Sequence, residues 1–380
     1  MNHSERKHAL LSASGSKRWM NCTPSARLED AQKKSKSSMY AQEGTLAHEL
    51  SEIIIANTLD RLSDDDFETE FNRIKDNKFY KPEMLKYVNM YIDYILMNYT
   101  ENSEIYVEER LDFSDYVPEG FGTGDIVLVE DDVLEMVDLK YGKGVKVDAH
   151  NNSQLRLYGL GALKLVELSH SIQIIKMTVV QPRLDSITTE TMTKAELLNW
   201  GDHVKPKAQM AFKGLGNKVT GEWCRWCAVK HKCSEMAKFA VVAAKSDFKT
   251  PDLLNDDRLE ELYASLHMIK DWIKSIESYM YDSALEGKKW NNFKLVAGQK
   301  KNTWLDKEKI VEILEKNGYT DIKNSKLKSI TDIKRLLGAK FQPMLGEQVF
   351  KKPSAPKLVH VDDPKPALGD EQAKLDFFNL

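Results

Sequence analysis

The sequence predicts an α/β domain followed by a smaller helical module. Two observations predict the domain. Apolar residues recur at helical spacing up to about residue 98, then shift to strand-like runs between 104 and 140, then alternate between helix and strand patterns up to 212. Four cysteines bracket that stretch: Cys22 stands alone, and Cys224, Cys227 and Cys233 follow 202 or more positions later. If all four bind one inorganic centre, everything between them belongs to one closed unit. At 380 residues the chain is long enough for one large core plus a smaller module.

Ser12–Asp30 reads as a helix with a polar start. Ala41–Leu59 is a second helix, whose apolar face is Leu46, Leu50, Ile53, Ile54 and Ile55. A third covers 82–98, rich in Met, Tyr, Ile and Leu. Strands are expected at Glu104–Phe113, Gly124–Glu130 and Val133–Lys140, with Glu130-Asp131-Asp132 turning between the last two. A helix at about 151–167 precedes a strand pair, Ile172–Gln181 and Ser186–Thr193, and a helix at Ala195–Phe212 leads into the cysteine cluster. Beyond it come a long helix at Arg258–Leu285, a short strand at Trp290–Val296, and helices near 306–317 and 329–337. The expected domains are 8–240, a mainly helical module at 245–350, and a flexible tail at 351–380, which is proline-containing and aperiodic.

The net charge is −3 and the pI about 6.3, so no global basic field advertises nucleic acid, although a local basic groove would suffice. No apolar run reaches the roughly 18 residues of a membrane span, and the polar N-terminus lacks a signal region. A cytoplasmic protein without a membrane partner is expected. There thiols stay reduced, so clustered cysteines favour metal over disulfides.

The candidate chemistry lies between the cysteines. Asp125 follows Gly122-Thr123-Gly124 at the start of one strand, and Asp138-Leu139-Lys140 ends the next. Asp138 and Lys140 are two apart, so on a strand they face one side. Two carboxylates and a nearby carbonyl make a hard oxygen site suited to Mg²⁺ or Mn²⁺. A lysine beside them can orient water and offset charge at phosphorus. Gln154 and Tyr158 share a face of the next helix, and His48 lies on the second helix. Taken singly, each signal also fits a bland role: a solvated strand end, a surface pair, a structural histidine.

Taken together, Gly44-x-x-x-His48, Gly122-x-x-Asp125, Asp138-x-Lys140 and Gln154-x-x-x-Tyr158 resemble the ordered motifs of the RecB-like branch of PD-(D/E)XK nucleases. Trp19-x-x-Cys22-x-Pro24 and the Cys-x2-Cys-x5-Cys spacing are similar to the iron–sulfur members of that branch, the AddAB-type nuclease domains and the CRISPR-adaptation exonucleases. The resemblance covers about residues 8–240; the second acid, often Glu, is Asp138 here. The whole chain also resembles a group of phage and prophage proteins found among replication and recombination genes. The resemblance implies a restriction-endonuclease-like core, with a central mixed sheet flanked by helices. It implies a metal-dependent DNA nuclease acting on single strands or ends. Asp125, Asp138, the Leu139 carbonyl and His48 would hold Mg²⁺ or Mn²⁺, Lys140 would position water, and Gln154 and Tyr158 would hold the DNA strand.

Four thiolates suit either zinc or a 4Fe–4S cluster. The solitary, remote Cys22 is unlike the paired knuckles of a zinc ribbon, and the resemblance implies 4Fe–4S. Trp223 and Trp226 interleave the ligands, as a shield for the centre or as plain core. Lys143 and Lys146 sit in a Gly142/Gly144 turn where they could contact phosphates or simply be solvated, and Arg183 is expected to face the same groove. The C-terminal Lys374-Leu375-Asp376-Phe377-Phe378 resembles the short peptide with which bacterial replication proteins dock on the sliding clamp, with Leu375, Phe377 and Phe378 as anchors; its alternative is packing on the protein's own surface. The rival functions are a non-catalytic DNA-binding or assembly factor, and a zinc-stabilised interaction protein.

Overall fold

The structure is a computed structural model that describes residues 9–32, 38–246, 256–299, 301–319, 323–324, 326–352 and 355–369. The chain divides into two units, Met1–Ile269 and Lys270–Leu380. Among the described residues no helix is long and apolar enough to cross a membrane.

The first unit opens with two short helices, α1 (Ser16–Asn21) and α2 (Ser25–Asp30), where one continuous helix was expected. Pro24 disfavours helical geometry at Thr23, and Cys22 occupies the break. Next come α3 (Met39–Thr58), α4 (Asp64–Lys75) and α5 (Pro82–Met97). Helix α4 was not anticipated, because its sequence is mostly charged and only Ile74 is fully buried; the Ser63 side chain caps it, accepting from Asp66 N–H.

Five strands form one mixed sheet in sequence order: β1 (Glu104–Asp112), β2 (Phe121–Glu130), β3 (Val133–Leu139), β4 (Ile174–Gln181) and β5 (Ser186–Thr193). Strands β3 and β4 are parallel and the other neighbours antiparallel. Helix α6 (Ser153–Val166) supplies the crossover that parallel pairing requires. Helix α7 (Lys194–Lys213) starts on a capping box of Thr193 and Glu196.

Both faces of the sheet are covered. Val127, Val129, Leu134, Met136 and Met177 pack with Leu155, Leu160 and Val204 from α6 and α7. Ile126, Leu128, Val137, Leu139 and Val180 pack with Leu46, Leu50, Val88 and Ile92 from α3 and α5. This two-sided burial explains why β2 reads as an unbroken apolar run rather than an alternation.

One irregularity positions the site. In β1, Ile105 and Val107 belong to the α3/α5 core, yet Leu111, with the same parity, belongs to the α6/α7 core. Between them Glu108 has φ +49°, an uncommon conformation for a residue with a side chain. Val107 pairs with Ile126 and Glu109 with Gly124, while Glu108 and Asp125 drop out of the ladder. Strand β2 switches too: Ile126 faces α3/α5, whereas a Cβ on Gly124 would meet Leu111 and Met136 of the opposite core.

Strand β2 begins at Phe121, three residues earlier than expected, so the glycine motif lies within the strand. After α7, the cysteine segment forms a 3₁₀ turn at Glu222–Trp226 and leads into α8 (Ser234–Ser246). Helix α9 spans Asp256–Leu285.

The second unit is mixed rather than mainly helical. Strand β6 (Phe293–Val296) pairs antiparallel with β11 (Lys357–His360), and β7 (Lys301–Trp304) pairs with β10 (Val349–Lys352). Between them lie α10 (Lys307–Lys316), the two-residue strands β8 (Lys323–Asn324) and β9 (Lys326–Leu327), α11 (Ile330–Leu337) and α12 (Phe341–Leu345). Trp304, Ile310, Leu314, Ile333, Leu337, Phe341 and Leu345 make its core. Strand β11 falls inside the stretch expected to be a flexible tail. Leu375, Phe377 and Phe378 lie outside the described residues.

Candidate functional site

Two groups of polar side chains meet around the ends of β2 and β3. The first is built by α3 and the face switch. His48 points from α3 at the sheet, with Nδ1 3.3 Å from Asp125 Oδ1 and 3.8 Å from Glu108 Oε1. The Leu139 N–H donates to Asp125 Oδ2 at 2.7 Å, which fixes the carboxylate across the strand pair. His48, Glu108 and Asp125 each present a ligand atom, all within 4.8 Å of one another.

The second group is built by β3 and α6. Lys140 Nζ donates to Asp138 Oδ1 at 2.9 Å and lies 2.7 Å from Oδ2. The latter contact is ionic rather than a directed hydrogen bond, and Oδ2 is buried without a hydrogen-bond partner. Lys140 also reaches Gln154 Oε1 at 3.4 Å, and Gln154 Nε2 lies 3.4 Å from both Asp138 Oδ1 and the Tyr158 hydroxyl. The Asn152 side chain caps α6, accepting from Gln154 and Leu155 N–H, and so sets where Gln154 starts. Gly122 makes room for Tyr158: a Cβ there would sit 2.6 Å from the tyrosine ring.

The two groups act on each other electrostatically. Burial would lower His48, but the charge and hydrogen bond of Asp125, helped by Glu108 and Asp138, lift it to about 10. Burial would raise Asp125, yet His48, Lys140 and the Leu139 N–H hold it below the usual carboxylate range. For Asp138, burial together with the charge of Asp125 outweighs Lys140, and the carboxyl sits above its ordinary value. Burial opposes the charge on Lys140, but Asp138 and Asp125 keep it above the ordinary lysine value. Burial and the nearby carboxylates push Tyr158 well up, so its hydroxyl stays protonated. Two carboxylates in one buried place, offset by the Lys140 ammonium and a protonated His48, form a donor set that suits a divalent cation once the His48 proton leaves.

Asp125, Asp138, Lys140, Gln154, Tyr158 and His48 are thus gathered, as the sequence motifs anticipated. Glu108 joins them and was not anticipated. Lys143 and Lys146 stand exposed on the loop that follows Lys140. Gln181 holds that loop, donating to Gly142 O at 2.6 Å and Val145 O at 2.8 Å and accepting from Val147 N–H at 3.0 Å. Arg183 does not face a groove: it is 6% exposed, pairs with Glu43 at 3.3 Å and lies over the Tyr141 ring.

The four cysteines line one pocket with Trp223, Met236, Arg18, Lys218 and Lys230. No three of their sulfurs share the 4.8 Å spacing that His48, Glu108 and Asp125 satisfy. Burial pushes the Cys224 thiol up and the Cys227 thiol up to about 12. A bound cation would have to deprotonate them. Direct contacts also join the two cysteine segments. Arg18 pairs with Glu29 at 2.6 Å and donates to Trp226 O, Ala228 N–H donates to Glu29 Oε1 at 2.6 Å, and Lys17 pairs with Glu222 at 2.7 Å. Trp226 does not shield the pocket, being 70% exposed.

A family model described as "Protein of unknown function (DUF2800)" matches residues 8–366. The chain belongs to the DUF2800 family. It is also similar to a solved structure described as "Crystal structure of SSO0001", at 13% identity, covering 58% of this chain and 96% of that one, with a TM-score of 0.24.

Proposed function

We propose that this protein is a metal-dependent deoxyribonuclease of the PD-(D/E)XK type, acting on single-stranded DNA or DNA ends. The observation that carries the proposal is the meeting of Asp125, Asp138 and Lys140, with His48 on one flank and Gln154 and Tyr158 on the other. Motifs separated by up to 110 positions, from His48 to Tyr158, converge on one buried polar site.

His48, Asp125 and Asp138 would hold Mg²⁺ or Mn²⁺ together with the Leu139 carbonyl, and Glu108 offers a further oxygen. The bound cation would polarise the phosphodiester and lower the pKa of a bound water. Lys140 holds a positive charge beside Asp138, where it can orient water and offset charge developing at phosphorus. The Gln154 amide and the protonated Tyr158 hydroxyl offer donors to a DNA strand at the same place. Lys143 and Lys146, on the loop fixed by Gln181, are suited to phosphate contacts.

The cysteine pocket is proposed to hold a 4Fe–4S cluster. The support is the spacing, a solitary remote Cys22 with Cys224, Cys227 and Cys233 rather than two paired knuckles, and the one pocket that all four line. Visible absorbance and metal content of anaerobically purified protein distinguish a cluster from zinc.

The deciding experiment is digestion of end-labelled single- and double-stranded DNA with Mg²⁺ or Mn²⁺. Wild type should cleave, and Lys140→Ala and Asp138→Ala should each lose about 100-fold or more. Wild-type-level cleavage by either variant, or none by the wild type, overturns the proposal.

A further inference from the structure

We infer that the cysteine loop carries a stacking platform for an unpaired nucleic-acid strand, centred on Trp226. The inference rests on the nucleic-acid substrate proposed above and adds a second contact site to it. All seven tryptophans are described, and the other six are buried or half-buried; Trp226 is 70% exposed. An indole in water at the tip of a turn contributes no core packing and leaves a flat face available to a ligand; the cations around it, more than the exposure alone, make it a candidate.

The surroundings specify the ligand's charge. The Arg225 guanidinium lies 5.3 Å from the centre of the Trp226 ring. Lys230 Nζ donates to the Arg225 carbonyl at 2.7 Å, which brings a second cation to the same turn. Lys218 and Lys230 both line the cysteine pocket. The neighbouring acids are already engaged, Glu222 by Lys17 and Glu29 by Arg18 and Ala228 N–H. A π-face set among cations, with nearby anions neutralised, matches a base and its phosphate, because bases stack on aromatic side chains while lysines and arginines track the backbone. A duplex end presents only its terminal pair to such a ring, so unpaired nucleotides are the better fit.

The turn is held in place by the cysteine segments themselves. Arg18 donates to Trp226 O, fixing the backbone that carries the indole. On the far side of α1, Ser16 Oγ lies 2.6 Å from Ser153 Oγ, the residue before Gln154 on α6. The platform and the polar site are therefore connected through one short helix.

Binding is measured with the full-length Lys140→Ala protein as purified, without added Mg²⁺ or Mn²⁺, so that the readout does not depend on cleavage. Labelled oligo-dT, oligo-rU and a blunt duplex are the probes, and quenching of tryptophan emission gives a second signal. Adding Trp226→Ala should weaken oligo-dT binding about 5- to 150-fold, while Trp226→Phe keeps most of it. Arg225→Ala with Lys230→Ala should flatten the logarithmic salt dependence by about 0.7 for each charge removed. Visible absorbance of the cysteine centre and the melting temperature should match the parent in every variant. Equal oligo-dT and oligo-rU affinities support a platform that ignores the sugar, and a stronger dT signal assigns it to DNA. Unchanged oligo affinity in Trp226→Ala, a duplex bound as tightly as oligo-dT, or displacement of oligo-dT by an acidic peptide at equal concentration overturns the inference. Failure of the nuclease proposal appears separately, as absent cleavage by wild type with binding intact.

Discussion

Glu108→Gln tests the cation site most directly, because the substitution keeps shape and removes charge. The carboxylate oxygen lies 3.8 Å from His48 Nδ1, so a cation held by His48 and Asp125 would feel it at about that range. One pair of unit charges at about 4 Å is worth about 1 kcal/mol in water and about 4 kcal/mol at an effective dielectric constant near 20, and the double charge of Mn²⁺ raises these to about 2 and about 8 kcal/mol. Glu108 is 26% exposed, which places the site between these limits. Taking the lower limit, about 2 kcal/mol, Mn²⁺ should bind at least about 30-fold more weakly to Glu108→Gln. The assay is Mn²⁺ titration followed by electron paramagnetic resonance, with Asp125→Asn as the severe comparison. Without metal the same variant should lower the His48 pKa, since a hydrogen-bonding carboxylate is gone, and this is readable by NMR of the imidazole. Mn²⁺ affinity within about twofold of wild type, while Asp125→Asn loses it, would show that Glu108 is a bystander and that the face switch of β1 serves packing alone.

Further outcomes follow from the same geometry. The folded-state pKa of His48, about 10, lies above its ordinary 6.5, so its contribution to stability in metal-free protein is complete below about 6.5 and lost as pH rises through 10; urea unfolding should show this decline, and His48→Asn should remove it. Because a cation must displace that proton, Mn²⁺ affinity should rise about tenfold per pH unit between 7 and 9 with about one proton released per ion, and a flat profile contradicts protonated His48. Gly122→Ala puts a Cβ 2.6 Å from the Tyr158 ring and should cost about 1–3 kcal/mol of stability in denaturant titration; an unchanged midpoint would mean that Tyr158 moves freely. Gln181→Leu strips three hydrogen bonds from the loop after Lys140. Amide exchange at 142–147 should accelerate and DNA affinity fall, and wild-type exchange there rejects the role given to Gln181.

Most of the site was legible because its residues obey periodicity. Asp138 and Lys140 lie two apart at a strand end, and Gln154 and Tyr158 lie one helical turn apart, so local geometry alone puts each pair on one side. The flanking elements were legible for the same reason, each having enough apolar positions to mark its period. Glu108 was not. In Val107-Glu108-Glu109-Arg110-Leu111 the two apolar residues share one parity, and Glu108, of the other parity, looks like solvent. Its place in the site comes from a left-handed backbone angle that turns the strand over, and no side-chain pattern encodes that angle. Arg183 failed for the converse reason. A cation after a strand suggests a groove, but its position depends on Glu43, 140 residues away in sequence, and on Tyr141 beneath it.

The two cysteine segments meet through protein contacts as well as through any centre they would hold. On spacing alone, a centre joining residues 22 and 224 acts as a crosslink, with loop-closure entropy as its main contribution. Yet the same segments meet through the nearly enclosed Arg18–Glu29 pair, the Ala228 N–H bound to Glu29, and the Arg27 guanidinium donating to Phe212 O at 2.6 Å. Trp19 is buried in the α6/α7 core beside them. These contacts join the segments in the folded state without a metal, so a bound centre would add its ligand free energy, and its restriction of the unfolded chain, to an existing seam. The 3₁₀ turn at Glu222–Trp226, which contains Cys224, is held by Arg18 at Trp226 O, by Lys230 at Arg225 O and by the Cys224 and Cys227 N–H groups within the turn itself. That turn carries Trp226. A centre bound by the four cysteines would therefore steady that surface as well as the seam between the segments.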